Sequence, residues 1–456
     1  MNRRTSISCT VAAVVLVLTI VVNGCSLDYI NPNAPAENQV LTTREGVIAL
    51  AIGMQQFFAT STIEAYITTS GTSARELAVV STFQDPLDLE VGGAELPAEN
   101  SRVLAIWQRS YRTIGMAENL INSAPNVPLS AATRGGIIAL ASLYKAMCLG
   151  HLAMYFEQAP ISLGRVGQPA QFRPRADVLA EAIRLLETAA QQVPTGTAAQ
   201  EFTTQVLARG MNLANTIQAM RARFLNMAGR HAEAIAAANQ VVTGTAGVSV
   251  FTYDAQQNRN PVFVNVILAG AVFAPRDNFG VSTGFVDTAD ARIRFFMSPN
   301  AGVGNTSRLP IETLVAPFFA TPDAAMPVFR MGEMALIRAE AHARQNNLTA
   351  AVEEINRIRT KTRTQDPHGI GAGLPPYSGA MTQQAILNEI YAQRCAELFL
   401  TGQRFEDARR FGRPLPPTPT PTMLPARYAS ERNRNFYPYP ALERDNNPNT
   451  PQNPPI

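Results

Sequence analysis

The strongest constraint on this chain is a helix-turn-helix pattern that occurs twice. Arg221-Ala222 through Gly229-Arg230-His231 to Ala234-Ile235 aligns without gaps on Arg338-Ala339 through Asn346-Asn347-Leu348 to Ala351-Val352. Gly229 in one copy and Asn346 in the other stand where the chain must turn left-handed to leave its first helix. A small Ala on the second helix then lets the two helices approach closely. One such pair cannot bury its own apolar stripe, so hairpins of this kind stack side by side around a shared core. The copies are 117 positions apart, 221 against 338, so the array is not a clean tandem and large loops must be inserted between hairpins.

The same helical period runs through the rest of the chain. Ile386, Leu387, Ile390, Tyr391, Cys395 and Leu398 recur at three- to four-residue steps, with Asn388, Glu389, Gln393, Arg394 and Glu397 between them. Ala351, Val352, Ile355 and Ile358 do likewise against Glu353, Glu354, Arg357 and Arg359. Further helices are predicted over 44–58, 104–123, 131–156, 175–192, 210–228, 231–242 and 332–345. Only short stretches, such as Val248 to Tyr253 and Val262 to Leu268, have strand composition. The fold class is mostly α, and the hairpins resemble tetratricopeptide hairpins carrying large loop insertions. Those loops are expected at about 60–100, 243–330 and 363–382, and long irregular segments in a helical scaffold usually carry function. From Pro414 to Ile456 the prolines are too dense for helix, and an extended wrap over the surface is expected.

The first 24 residues read as a signal peptide. Arg3 and Arg4 precede the apolar run Val11 to Val22, whose twelve residues would rise about 18 Å as a helix, short of the ~30 Å hydrocarbon core. Val22, Asn23, Gly24 and Cys25 then resemble a bacterial lipobox, which implies that Cys25 is acylated and becomes the mature N-terminus. Several acyl chains, at about 0.8 kcal/mol per buried CH₂, hold a protein stably on a membrane. Residues 25–42 would be the acylated Cys and its linker, with Pro32 and Pro35, and 43–456 the functional body. Cys148 and Cys395 are the thiols left, both in apolar helical patterns, and are expected to be buried and unpaired.

Composition excludes several functions. Lys plus Arg number 38 against 35 Asp plus Glu, and without Arg3 and Arg4 the balance is 36 against 35, too neutral for a dedicated nucleic-acid binder. His151, His231, His342 and His368 form no metal-spaced pair, and no His-Glu-x-x-His or Gly-x-Ser-x-Gly segment occurs. Neither a cofactor nor a metal is expected; Asp287 and Asp290 alone are a weak cation signal. Gly369 to Pro375 is glycine-rich but opens no helix, so it reads as a flexible loop and not a phosphate cradle. Arg394, Glu397, Arg404 and Asp407, and likewise Arg338, Glu340 and Arg344, are expected to form structural ion pairs. No catalytic residue is assigned.

With a lipobox in front, Trp107, Tyr111, Ile114, Glu118 and Asn119 on one helix resemble the SusD/RagB family of outer-membrane nutrient-binding lipoproteins. Two later segments carry the same resemblance: Phe329-Arg330-Met331 through Ala339-Glu340-Ala341 to Asn356-Arg357-Ile358-Arg359, and Arg394, Glu397-Leu398, Gly402, Arg404, Asp407, Arg409-Arg410. Gln393 and Thr401 stand where the family usually has Glu, and Tyr155 to Pro160 replaces its Gly-x-Pro turn. The resemblance implies a single SusD-like domain at the outer membrane. It would bind an oligosaccharide or other nutrient and sit on a SusC-like TonB-dependent barrel.

Sugar recognition needs flat apolar faces ringed by amides, carboxylates and guanidinium groups. In the predicted loops Phe83-Gln84-Asp85, Tyr253-Asp254 and Arg276-Asp277-Asn278-Phe279 offer that mixture. Trp107, the single Trp, falls on a helix and is expected in the core. So few aromatics lower the expectation of a broad polysaccharide platform. The rival function is an envelope scaffold that binds proteins on a concave helical face; the large insert 243–330 distinguishes the two, since scaffold arrays are nearly all hairpin.

Overall fold

The computed structural model describes residues 41–165, 167–299, 310–413 and 430–456. The signal segment, Cys25 and nearly all of the linker lie outside these residues, as does 414–429 of the Pro-rich tail.

In chain order the helices are α1 (Arg44–Ser73), α2 (Gln84–Val91), α3 (Ser101–Ser123), α4 (Ala131–Tyr155), α5 (Arg175–Gln192), α6 (Gln200–Gln205), α7 (Leu213–Met227) and α8 (His231–Asn239). They continue as α9 (Ala291–Phe296), α10 (Met331–Arg344), α11 (Leu348–Arg359), α12 (Gln383–Glu397), α13 (Arg404–Arg410) and α14 (Ala441–Asn446). Side-chain caps set several starts: Asn100 Oδ1 accepts from the N–H groups of Arg102 and Val103, Ser130 Oγ from Thr133, and Asn212 Oδ1 from Asn215.

The helices stack in a chain: α3 packs on α4, α4 on α5, α5 on α7, α7 on α8, α8 on α10, and α10 on both α11 and α12. α4 is long and apolar enough to cross a membrane, but its most apolar window is 94% buried inside the molecule, so it serves as the central strut. Gly150 permits this packing, because a Cβ there would lie 2.1 Å from the ring of Phe224 on α7.

The two hairpins found in the sequence, α7–α8 and α10–α11, lie directly against each other despite their separation. Gly229 (φ 75°) and Asn346 (φ 61°) are both left-handed. The residue after each closes the same bond to a carbonyl five positions back, Arg230 N–H to Leu225 at 2.9 Å and Asn347 N–H to His342 at 2.8 Å, so both turns are Schellman caps. Ala234 and Ala351 are fully buried, as close helix approach requires. Arg223 on α7 grips Glu333 on α10 through Nε and Nη2 at 2.6 and 2.7 Å, and Asn226 donates to Glu340 at 2.9 Å.

Four short antiparallel ribbons stand outside the helical stack, three of them with strands from the stretch between the hairpins. β1 (Leu77–Val79) pairs with β5 (Phe273–Pro275), β2 (Gln158–Pro160) with β3 (Phe172–Pro174), β4 (Val250–Phe251) with β8 (Met326–Pro327), and β6 (Met297–Pro299) with β7 (Glu312–Leu314). One apolar core runs from Val47 to Tyr439 and includes Trp107, as expected from its helical position. Cys148 and Cys395 are buried and unpaired, and burial pushes both thiols up to about 12.

Several expectations need correction. The predicted loop from 60 is helical to Ser73, and this polar stretch can be buried because Thr68, Ser70 and Thr72 satisfy their hydroxyls on the carbonyls of Glu64, Tyr66 and Thr68. α2 adds a further helix within the same span. Val262 to Leu268 forms no strand: Asn260 Oδ1 accepts from the N–H groups of Val262 and Phe263 and starts a π-helical turn, Phe263–Ile267. The glycine-rich segment after His368 is packed tightly. Ile370 and Ala372 are fully buried, and a Cβ on Gly371 would meet the Thr362 backbone at 2.4 Å. Within the tail, 430–440 is no surface wrap. It passes through the core, with Asn433, Tyr437 and Tyr439 fully buried and Phe405 stacked on Tyr437 at 4.9 Å. Apolar area outweighs the prolines, whose missing N–H groups cost nothing in an extended segment.

The charged C-terminal residues pair as expected. Arg394 binds Asp407 through two bonds of 2.8 and 2.9 Å, while Glu397 joins Arg292 and Lys361. Asp290 is spent on Arg292, and no group of three or more His, Cys, Asp or Glu among the described residues could hold a metal ion.

Candidate functional site

Two clefts of about 470 and 460 Å³ adjoin where the insert folds back on α1. α1 is interrupted by a π-helical turn, Phe58–Thr62, which adds one residue to the helix and is a frequent mark of functional sites. Phe58 and Thr62 stay buried and anchor the turn, and Thr60 and Ser61 line the first cleft. The second π turn, Phe263–Ile267, faces it across that cleft with Val264 and Asn265.

The insert is fixed from below and above. Asn260 is fully buried and donates to the carbonyls of Phe318 and Ala324 at 3.0 and 2.8 Å. Asp254 accepts the N–H groups of Gln256, Gln257 and Asn258 and so folds the loop tip; these bonds hold its carboxyl below the usual range. Tyr253 donates to the Ala59 carbonyl at 3.0 Å, and Gln56 to Asn258 Oδ1 at 2.5 Å. Thr60 and Asn258 line both clefts and form the ridge between them.

The clefts differ in chemistry. The second has Tyr253, Phe251, Ile52 and Tyr144 beside Gln56 and Thr204, which are aromatic and aliphatic surfaces with amide and hydroxyl groups. The first is polar: Arg102, Arg109 and Arg259, the amides Gln257, Asn258 and Asn265, and Glu64. Arg109 bonds Glu64 and, at 2.7 Å, the Ser61 carbonyl; Arg102 lies 3.6 Å from the same carboxylate and 5.4 Å from the Phe273 ring centre. Both carboxylates in the clefts, Glu64 and Asp254, are therefore held by permanent partners. The arrangement can bind hydroxyl, amide and anionic groups and stack a ring face.

Of the residues chosen from sequence, Tyr253 and Asp254 line the second cleft. Phe83 is 63% exposed at the start of α2, Gln84 donates to Asp88, and Asp85 accepts from the Ser101 N–H at the start of α3. These three line neither cleft. Arg276 continues β5, its N–H on the Glu76 carbonyl, and burial raises the carboxyl of neighbouring Asp277. Asn278 is left-handed and donates to the Val281 and Ser282 carbonyls. Phe279 is fully buried against Phe296 and Phe399 with its carbonyl on Arg404, so it is a core residue and offers no stacking face. Sequence reasoning missed Thr60, Glu64, Arg102, Arg109 and Asn265. The legible signals were the seven-residue spacing of Arg102 and Arg109, two turns on one helix face, and the polar run Gln256 to Asn260.

The chain is similar to known proteins in one stretch of sequence and in its fold. Residues 320–455 match the profile described as SusD family. No curated protein matches the sequence. Among solved structures, a SusD superfamily protein from Bacteroides thetaiotaomicron has a TM-score of 0.68 at 16% identity, covering 90% of this chain and 99% of its own. A SusD-like carbohydrate binding protein from Bacteroides fragilis gives 0.67 at 16% identity, with 90% and 99% covered. A SusD superfamily protein from Bacteroides vulgatus gives 0.65 at 17%, with 89% and 98% covered. At such identities the likeness is one of fold, and it spans the hairpins and the insert together. In sequence, residues 320–455 are similar to the SusD family profile, and the fold as a whole is similar to those of SusD superfamily proteins.

Proposed function

We propose that this protein is a non-catalytic, lipid-anchored nutrient-binding protein of the outer membrane. It captures an oligosaccharide or similar oligomer in the paired clefts and passes it to a SusC-like TonB-dependent barrel. The observation that carries this reading is that the clefts are built by the insert, at two π turns, from side chains suited to hydroxyl groups and ring faces. The B. fragilis relative, named as carbohydrate binding, supports the ligand class. The engaged state of Glu64 and Asp254 supports binding without hydrolysis, since glycoside cleavage needs a free acid and a free base or nucleophile. A scaffold role is disfavoured because the repeated hairpins are closed on each other.

Purification of the lipoprotein from its native membrane in mild detergent, followed by mass spectrometry, tests the partner. A near-stoichiometric barrel supports the proposal, and recovery of assembly proteins without a barrel refutes it. Titration with a panel of neutral and acidic oligosaccharides tests the ligand, with Tyr253→Ala expected to weaken whichever sugar binds.

A further inference from the structure

The first cleft has more positive charge than its structural role needs. One carboxylate, Glu64, faces three guanidinium groups, Arg102, Arg109 and Arg259. Arg102 and Arg109 are gathered onto the two oxygens of Glu64, which already balances one of them, and each keeps about a quarter to a third of its side chain exposed. Arg259 is exposed and has no hydrogen bond or ion pair among the described residues. Two uncompensated charges thus converge on a cleft of about 470 Å³ in a protein whose charges otherwise nearly cancel.

The geometry also holds these groups in place. Arg109 is tied to the Ser61 carbonyl of the π turn, and Arg102 lies over the Phe273 ring, so neither fork is free to sweep into solvent. Planar guanidinium forks match carboxylate and sulfate oxygens, and Gln257, Asn258 and Asn265 beside them suit neighbouring hydroxyls. We infer that the first cleft selects an acidic sugar, with a uronate carboxylate or a sulfate ester seated among Arg102, Arg109 and Arg259, and that the second cleft holds the less polar remainder of the oligomer. This deepens the glycan-capture reading above and rests on it.

The test uses the soluble mature body and three probes that share a backbone: α-1,4-galacturonotriose, the neutral α-1,4-galactotriose and a sulfated galactotriose. Calorimetry should show at least one acidic probe binding about tenfold or more tighter than the neutral one, with the margin shrinking between about 50 and about 300 mM salt. Which acidic probe binds tighter separates carboxylate from sulfate. Arg259→Gln, at an exposed side chain with no hydrogen bond or ion pair among the described residues, should remove most of that margin without changing the circular dichroism spectrum, and Arg102→Gln should act in the same direction. Equal binding of all three probes, or an acidic margin that survives both substitutions, overturns the inference while leaving glycan capture standing. Absence of binding by these probes and by the wider neutral and acidic panel overturns both.

Discussion

Arg223 and Glu333 give the sharpest test of how the separated hairpins are joined. Their bidentate contact, at 2.6 and 2.7 Å, links α7 to α10 with side chains 5% and 1% exposed. Burial shields the pair from solvent, and no other hydrogen-bond partner of the Glu333 carboxylate occurs among the described residues. Arg223→Met keeps the volume but leaves a buried carboxylate without its bonded cation, for which the expected loss is about 3–5 kcal/mol. Glu333→Leu should cost a similar amount by stranding the guanidinium. The double variant removes both charges and should recover most of that loss, because desolvation of an ion pair nearly cancels its attraction. Urea unfolding followed by circular dichroism and by fluorescence would supply the free energies, with coincident curves checking the two-state treatment. A loss below about 1 kcal/mol in Arg223→Met, or additive losses in the double variant, would refute the view that this pair locks the stack.

Three further outcomes are expected. Gly229→Ala should destabilise by about 1–2 kcal/mol through backbone strain alone, since space around its Cβ is open, whereas Asn346→Gly should be neutral or slightly stabilising; thermal melts of both would decide. Burial pushes the Glu90 carboxyl up to about 7 from an ordinary 4.5, so its ionised form is disfavoured in the fold. The penalty is absent below about pH 4.5, grows as pH rises to about 7 and is constant above, so Glu90→Gln, which can keep the bond from the Val79 N–H, should stabilise by about 2–3 kcal/mol at pH 8 and not at pH 4. A gain of equal size at both pH values would show that ionisation is not the cause. Cys25→Ser should shift the protein from the membrane to the soluble fraction, and retention in the membrane would count against acylation as its anchor.

The periodic parts of the chain were legible because a helix reports itself locally. The positions of α4, α5, α7 and α10 follow from three- to four-residue spacing, and the Schellman turns follow from one Gly and one Asn, whose preferences need no tertiary contact. Elements that depend on distant partners were not legible. The Thr- and Ser-rich end of α1 reads as a loop until burial favours its hydroxyl-to-carbonyl bonds, and Phe263–Ile267 reads as a strand until Asn260 is fixed by two carbonyls some sixty residues away. Phe279 shows the same limit, since a loop aromatic looks the same in sequence whether it faces solvent or Phe296.

Local pattern alone is enough to show that the chain is mostly α, that it contains paired hairpins, that loops interrupt them and that its front end resembles a lipoprotein signal. Each of these is a property of neighbouring residues, set by backbone geometry and local hydrophobic spacing. That the hairpins 117 positions apart are neighbours, that 430–440 passes through the core, and that Arg102, Arg109 and Arg259 meet at one cleft emerges from long-range packing. Those outcomes turn on which buried surfaces exclude water together, and that is fixed by contacts between residues far apart in the chain.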